Sequence, residues 1–147
     1  MCSSDLSPDR PAVNNPHVFW QEAMELPAAN QMKFVRKLME SRPILDRIPD
    51  QTIIVENNNS AAERIQATRG KDYIFVYSAA GKPFTVNLGK ITGTTLNAFW
   101  YEPKTGKSKE MMTFTNTGTK LFIPPSIGYG NDWILVIDDA GKKYGQL

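Results

Sequence analysis

Tyr73-Ile74-Phe75-Val76-Tyr77-Ser78-Ala79-Ala80-Gly81-Lys82-Pro83-Phe84-Thr85-Val86-Asn87-Leu88 carries the grammar of a β protein in sixteen residues. A dense β-branched and aromatic run comes first, suited to a central strand. Ala80-Gly81-Lys82-Pro83 then breaks it. Phe84-Thr85-Val86-Asn87-Leu88 alternates apolar and polar, the period-two pattern of a half-buried strand. Branched and planar side chains favour strands because they pack well on a pleated surface.

The same grammar runs outward in both directions. Upstream, Thr52-Ile53-Ile54-Val55 is β-branched and Arg64-Ile65-Gln66-Ala67-Thr68 alternates. Downstream come Leu96-Asn97-Ala98-Phe99-Trp100-Tyr101, Met111-Met112-Thr113-Phe114, Leu121-Phe122-Ile123 and Trp133-Ile134-Leu135-Val136-Ile137. Turn clusters separate them: Arg69-Gly70-Lys71-Asp72, Pro103-Lys104-Thr105-Gly106, Asn116-Thr117-Gly118 and Pro124-Pro125. About eight short strands at this spacing, with no helical pattern between them, predict a mainly β fold, an antiparallel β-sandwich.

Before Thr52 the period is helical. A short piece over Trp20 to Leu26 precedes a longer helix that starts at Pro27, where a missing N–H costs nothing, and stops before Pro43. Met32, Val35, Leu38 and Met39 form an apolar stripe, with Phe34 four before Leu38. Such a helix needs a neighbour to cover the stripe. Three segments are therefore expected: a disordered or non-native leader over 1–15, a helical segment over 16–50, and the sandwich over 51–147. Cys2-Ser3-Ser4-Asp5-Leu6 matches what a common sequencing adapter encodes in one frame, so a truncated reading frame with a spurious start is expected.

Composition narrows the function classes. The 147 residues hold 17 basic and 15 acidic side chains, a net charge of +2, which makes no electrostatic case for nucleic acid. No apolar run is long enough to span a membrane. The one cysteine, Cys2, cannot form an internal disulfide, and with the one histidine, His17, it cannot build a metal site. No cofactor motif is found: Gly128-Tyr129-Gly130 is not followed by a helix start and is read as a loop turn. Asp138-Asp139 is the only acidic doublet that glycoside chemistry could draw on. Strand neighbours point to opposite faces and cannot converge on one bond, so both are read as solvated strand-end charges. No catalytic residue is assigned. Trp20 and Trp100 are the candidate sugar-stacking residues, with core packing the stronger alternative for each; for Trp100 the reason is that one face of a sandwich strand is buried.

Trp20-Gln21-Glu22-Ala23-Met24-Glu25-Leu26-Pro27-Ala28-Ala29-Asn30-Gln31-Met32, with Glu40-Ser41-Arg42-Pro43 and Arg47-Ile48-Pro49-Asp50-Gln51, resembles the closing helix and exit of a barrel in apiosidase-like glycoside hydrolases. Ala98-Phe99-Trp100-Tyr101-Glu102-Pro103-Lys104-Thr105-Gly106 is similar to a hairpin of the domain behind that barrel, which carries a collagen-binding label. Phe122-Ile123-Pro124-Pro125 and Asp132-Trp133-Ile134-Leu135-Val136-Ile137-Asp138-Asp139 match its last strands. Glu102 stands where the hairpin usually has Asp.

The resemblance implies a (β/α)8 barrel upstream whose catalytic carboxylates have no counterpart here. It implies a secreted or periplasmic parent enzyme and, for this chain, a non-catalytic accessory domain whose partner is the parent's catalytic barrel. The alternative is a carbohydrate-binding module for a polysaccharide, or a collagen- or protein-binding module.

Overall fold

The computed structural model describes residues 19–56, 60–145 and 147. The leader expected over 1–15, and His17, lie outside the described residues.

Two helices open the described chain: α1 (Trp20–Met24) and α2 (Pro27–Glu40). Pro27 takes the first helical turn as expected, and the Asn30 side-chain amide donates to the Glu25 carbonyl at 3.1 Å, tying the two helices together. Eight strands follow: β1 (Ile48–Pro49), β2 (Ile65–Arg69), β3 (Tyr73–Ser78), β4 (Phe84–Asn87), β5 (Thr95–Glu102), β6 (Lys107–Thr115), β7 (Thr119–Phe122) and β8 (Trp133–Asp139). They form two antiparallel sheets, a six-stranded one in the order β1-β2-β3-β8-β5-β6 and a two-stranded one, β4-β7. The mainly β, sandwich-type fold is the one the alternation implies.

Two local expectations change. Thr52-Ile53-Ile54-Val55 is not a strand. Gln51–Ile53 is a short 3-10 turn capped by Asp50, and only Ile54 makes a bridge, to Val86. Ile53 and Ile54 are both buried, so this apolar pair seals the inner core from a turn and not from a ladder. Ile48-Pro49, placed within the helical segment expected over 16–50, instead pairs with Thr68 and Arg69 as an edge strand. Pro49 fits there because an edge position needs no inward N–H.

The large sheet has two apolar faces. Inward, Ile65, Ala67, Ile74, Val76, Leu96, Ala98, Trp100, Leu135 and Ile137 pack against Phe84, Val86 and Phe122 of the small sheet. Outward, Tyr73, Phe75, Phe99, Tyr101 and Val136 make a second cluster, closed by Leu38 of α2. One strand supplies both layers: β5 sends Leu96, Ala98 and Trp100 inward, Phe99 and Tyr101 outward. Between Ala98↔Met112 and Trp100↔Lys109 the pairing shifts, and Phe99 faces two residues of β6, of which Glu110 takes a positive φ of 54°. This bulge twists the exposed edge strand, which also carries Lys107 and Lys109, features that discourage edge-to-edge pairing.

Candidate functional site: a sheet face that clasps a helix

The outer sheet face is the part of the described chain that a single sandwich would not need. Its cover is α2. The apolar side chains of α2, expected to form one stripe, divide into two. Phe34 and Leu38, four apart, face the sheet, and Leu38 is fully buried. Met32, Val35 and Met39 lie about 110° further round the helix, and both methionines are exposed.

The docking is polar as well as apolar. Arg42, just past the helix end, is 3 % exposed, and its guanidinium meets the Asp138 carboxylate through two hydrogen bonds of 2.9 and 2.7 Å. Two parallel N–H···O bonds match the planar fork of arginine to a carboxylate. The guanidinium donates further to the Ser41 carbonyl at 3.1 Å and the Gly145 carbonyl at 3.3 Å, and the Tyr144 ring lies 4.6 Å from its centre. Burial pushes the Asp138 carboxyl above the usual aspartate range, against the pull of Arg42. Asp138 is therefore not a solvated strand-end charge. It points outward from β8 into the helix contact, while Asp139 points the other way and accepts from Thr92 at 2.9 Å.

Further bonds pin the helix exit. Tyr73 donates its hydroxyl to the Pro43 carbonyl at 2.7 Å and receives the Arg47 Nε–H at 3.0 Å. Arg47 reaches back to the Met39 carbonyl at 3.1 Å while lying over the Phe75 ring at 4.6 Å. At the other end Tyr101 donates to the Phe34 carbonyl at 2.9 Å. Gly106, at φ +68°, lets the β5–β6 hairpin tip approach Phe34 so closely that a Cβ there would sit 2.4 Å from its ring. Glu102, the departure from the resembled hairpin, still serves its turn by accepting from Thr105 Oγ1 at 2.6 Å.

Trp100 is 1 % exposed and sits among Phe84, Phe122 and Trp133, edge-on to Phe84 at 5.9 Å and to Trp133 at 6.5 Å. Its ring has no free face for a sugar, a correction to its place among the stacking candidates. Trp133 is buried too, its indole N–H donating to Ser126 Oγ at 2.9 Å. Trp20 opens α1, and its side chain lies outside the described residues. Among the described residues no three His, Cys, Asp or Glu side chains gather to hold a metal, and no helix is long and apolar enough to cross a membrane. The sequence patterns gave no functional role to Arg42, Tyr73, Arg47 or Tyr144. An arginine directly before a helix-stopping proline was the one local hint.

The architecture defines the class: an antiparallel two-sheet domain that carries a helix, α2, on its outer face. A family model described as "Putative collagen-binding domain of a collagenase" matches residues 48–138, and the chain belongs to that family. A solved glycoside hydrolase superposes with a TM-score of 0.84 at 36 % identity, over 95 % of this chain and 31 % of its own. A glycoside hydrolase family 5 protein from Bacteroides vulgatus superposes with a TM-score of 0.81 at 38 % identity, over 87 % of this chain and 28 % of its own. This chain thus spans about a third of the length of these solved glycoside hydrolases, and the match includes its helical segment. No curated protein matches it.

Proposed function

We propose that this chain is a non-catalytic accessory domain of a glycoside hydrolase, and that its work is to hold the closing helical segment of the catalytic barrel. Residues 16–47 then belong to the barrel side and residues 48–147, which include β1, to the accessory sandwich. The observation that carries this is the two-sided character of the helical segment. One face is locked to the sheet by Leu38 and Arg42, while Met24, Met32, Met39, Ile44 and Leu45 stand in solvent, Leu45 at 97 % exposure. Among the described residues, seven of the fourteen exposed large apolar side chains fall between Phe19 and Ile48, a density that suits a surface meant to be covered. About two-thirds of each solved glycoside hydrolase lies beyond this match, which leaves room for such a cover. An apiosidase-like activity for the parent rests on the sequence resemblance. The sugar-binding alternative loses support because Trp100 and Trp133 are core residues.

Sedimentation velocity on the chain tests the uncovered surface. Concentration-dependent association is expected, and Met39→Lys with Leu45→Lys is expected to abolish it while leaving the circular dichroism spectrum unchanged. A clean monomer at high concentration in the unmodified chain refutes the covered-surface idea. Turnover of any glycoside by these residues refutes the non-catalytic assignment.

A further inference from the structure

Beyond β8 the chain does something the sandwich does not require. Asp139 caps the 3-10 turn Ala140–Lys142 through the Gly141 N–H at 2.9 Å, and Lys143 reverses the chain with a positive φ of 51°. Tyr144 is thereby returned over the outer face. Its hydroxyl donates to Asp72 Oδ1 at 3.0 Å, next to the start of β3, and its ring covers the Arg42 guanidinium. Gly145 presents its carbonyl to the same guanidinium. Leu147 packs against the outer cluster that contains Leu38, and its carbonyl oxygen accepts from Ser108 Oγ of β6 at 3.0 Å. Tyr144 thus reaches the β3 side of the sheet and Leu147 the β6 edge, with Gly145 beside Arg42 where α2 ends.

We propose that Tyr144 and Gly145, with Leu147, form a strap that closes over Arg42 and locks α2 to the sheet. The proposal rests on the reading of this face as a helix clasp and names what secures it. Three kinds of contact converge on one catch. The bidentate Asp138 pair holds Arg42 from the sheet side, and the Tyr144 ring and Gly145 carbonyl hold it from the outside. A guanidinium so enclosed exchanges its water for an aromatic face and fixed oxygens, the setting in which a cation–π contact is strongest. Without the strap, water reaches the catch and the pair weakens, because screening grows with exposure. The anchors of the strap, Asp72 and Ser108, lie on the sandwich and not on α2. Opening the strap therefore frees the helix while leaving both sheets paired. In an enzyme built as proposed above, these few residues govern how rigidly the barrel and the sandwich are joined.

Amide hydrogen exchange resolves the elements separately. In Tyr144→Ala, and in a chain ending at Lys143, the protected amides of α2 are expected to exchange about tenfold faster or more, the loss of a buried cation–π contact and one hydrogen bond. Those of β3 and β8 are expected to stay as they are. Tyr144→Phe keeps the ring and loses only the bond to Asp72, so a smaller acceleration is expected. Unchanged α2 exchange in Tyr144→Ala overturns the strap. Equal loss of protection in α2 and β8 also overturns it, because the segment is then part of the common core. If α2 is already unprotected in the unmodified chain, it is the clasp reading that fails.

Discussion

Arg42→Ala is the most telling single change. Both members of the Arg42–Asp138 pair are nearly inaccessible, with side-chain exposures of 2 % and 6 %. Removing one partner of a buried pair leaves the other charge uncompensated and costs about 3–5 kcal/mol. The carbonyls of Ser41 and Gly145 lose a donor as well. In a domain of this size each kcal/mol moves the melting temperature by about 2–4 °C, so a fall of about 10 °C is expected. The sign of the pH dependence follows from Asp138. Burial raises its folded pKa above the ordinary value, so its ionisation opposes folding as the pH rises through that window. Without Arg42 nothing offsets that cost. The gap between Arg42→Ala and the unmodified protein is therefore widest at neutral pH and narrows as acid protonates Asp138. Urea denaturation of the two single variants and Arg42→Ala/Asp138→Ala, each at several pH values, completes a double-mutant cycle. A coupling of about 1–3 kcal/mol at pH 7 is expected for groups in direct contact. A coupling below about 0.5 kcal/mol, within the additivity of unrelated sites, refutes the argument that this pair holds the helix.

Other outcomes follow from the same geometry. Trp100→Ala empties the middle of an aromatic cluster and is expected to cost about 3–5 kcal/mol in denaturant titrations, whereas a sugar-stacking role predicts near-native stability and a binding defect. Gly106→Ala places a Cβ against Phe34 at a strained φ, so a loss of about 1–3 kcal/mol is expected, read most directly as faster α2 exchange. Asp50 is held below the usual aspartate range by hydrogen bonds from Thr52 and Arg69. Its stabilising contribution is present above the ordinary aspartate value and lost as the pH falls through its folded one, so acid unfolding of Asp50→Asn is expected to be shallower. Burial and the bond to Asp72 push the Tyr144 hydroxyl up to about 12. Its contribution is complete below the ordinary tyrosine value and lost as the pH rises toward that figure, an alkaline loss expected to be missing in Tyr144→Phe.

Much of the fold was legible from local order. Proline positions bounded α2, and the change from helical to two-residue period located seven of the eight strands. These signals are readable because backbone geometry repeats side-chain direction every 3.6 or two residues, whatever the chain packs against. The eighth strand was misplaced for a reason of the same kind. Ile48-Pro49 is too short to show a period, and Ile53-Ile54 is apolar because it is buried, not because it is extended. Direction toward one face or another, by contrast, was decided in three dimensions. Nothing within a few residues of Arg42 reveals a carboxylate 96 positions away. Asp138 looks like any strand-end acid until a helix lies over it. The side chains of α2 split between sheet and solvent because the sheet offers one outer face of limited width, filled by Phe34 and Leu38, so Met32 and Met39 are left outside. Trp100 could have stacked on a sugar from the other face of β5. It became core because the β4–β7 sheet closes over the inner face, a pairing that sequence distance conceals.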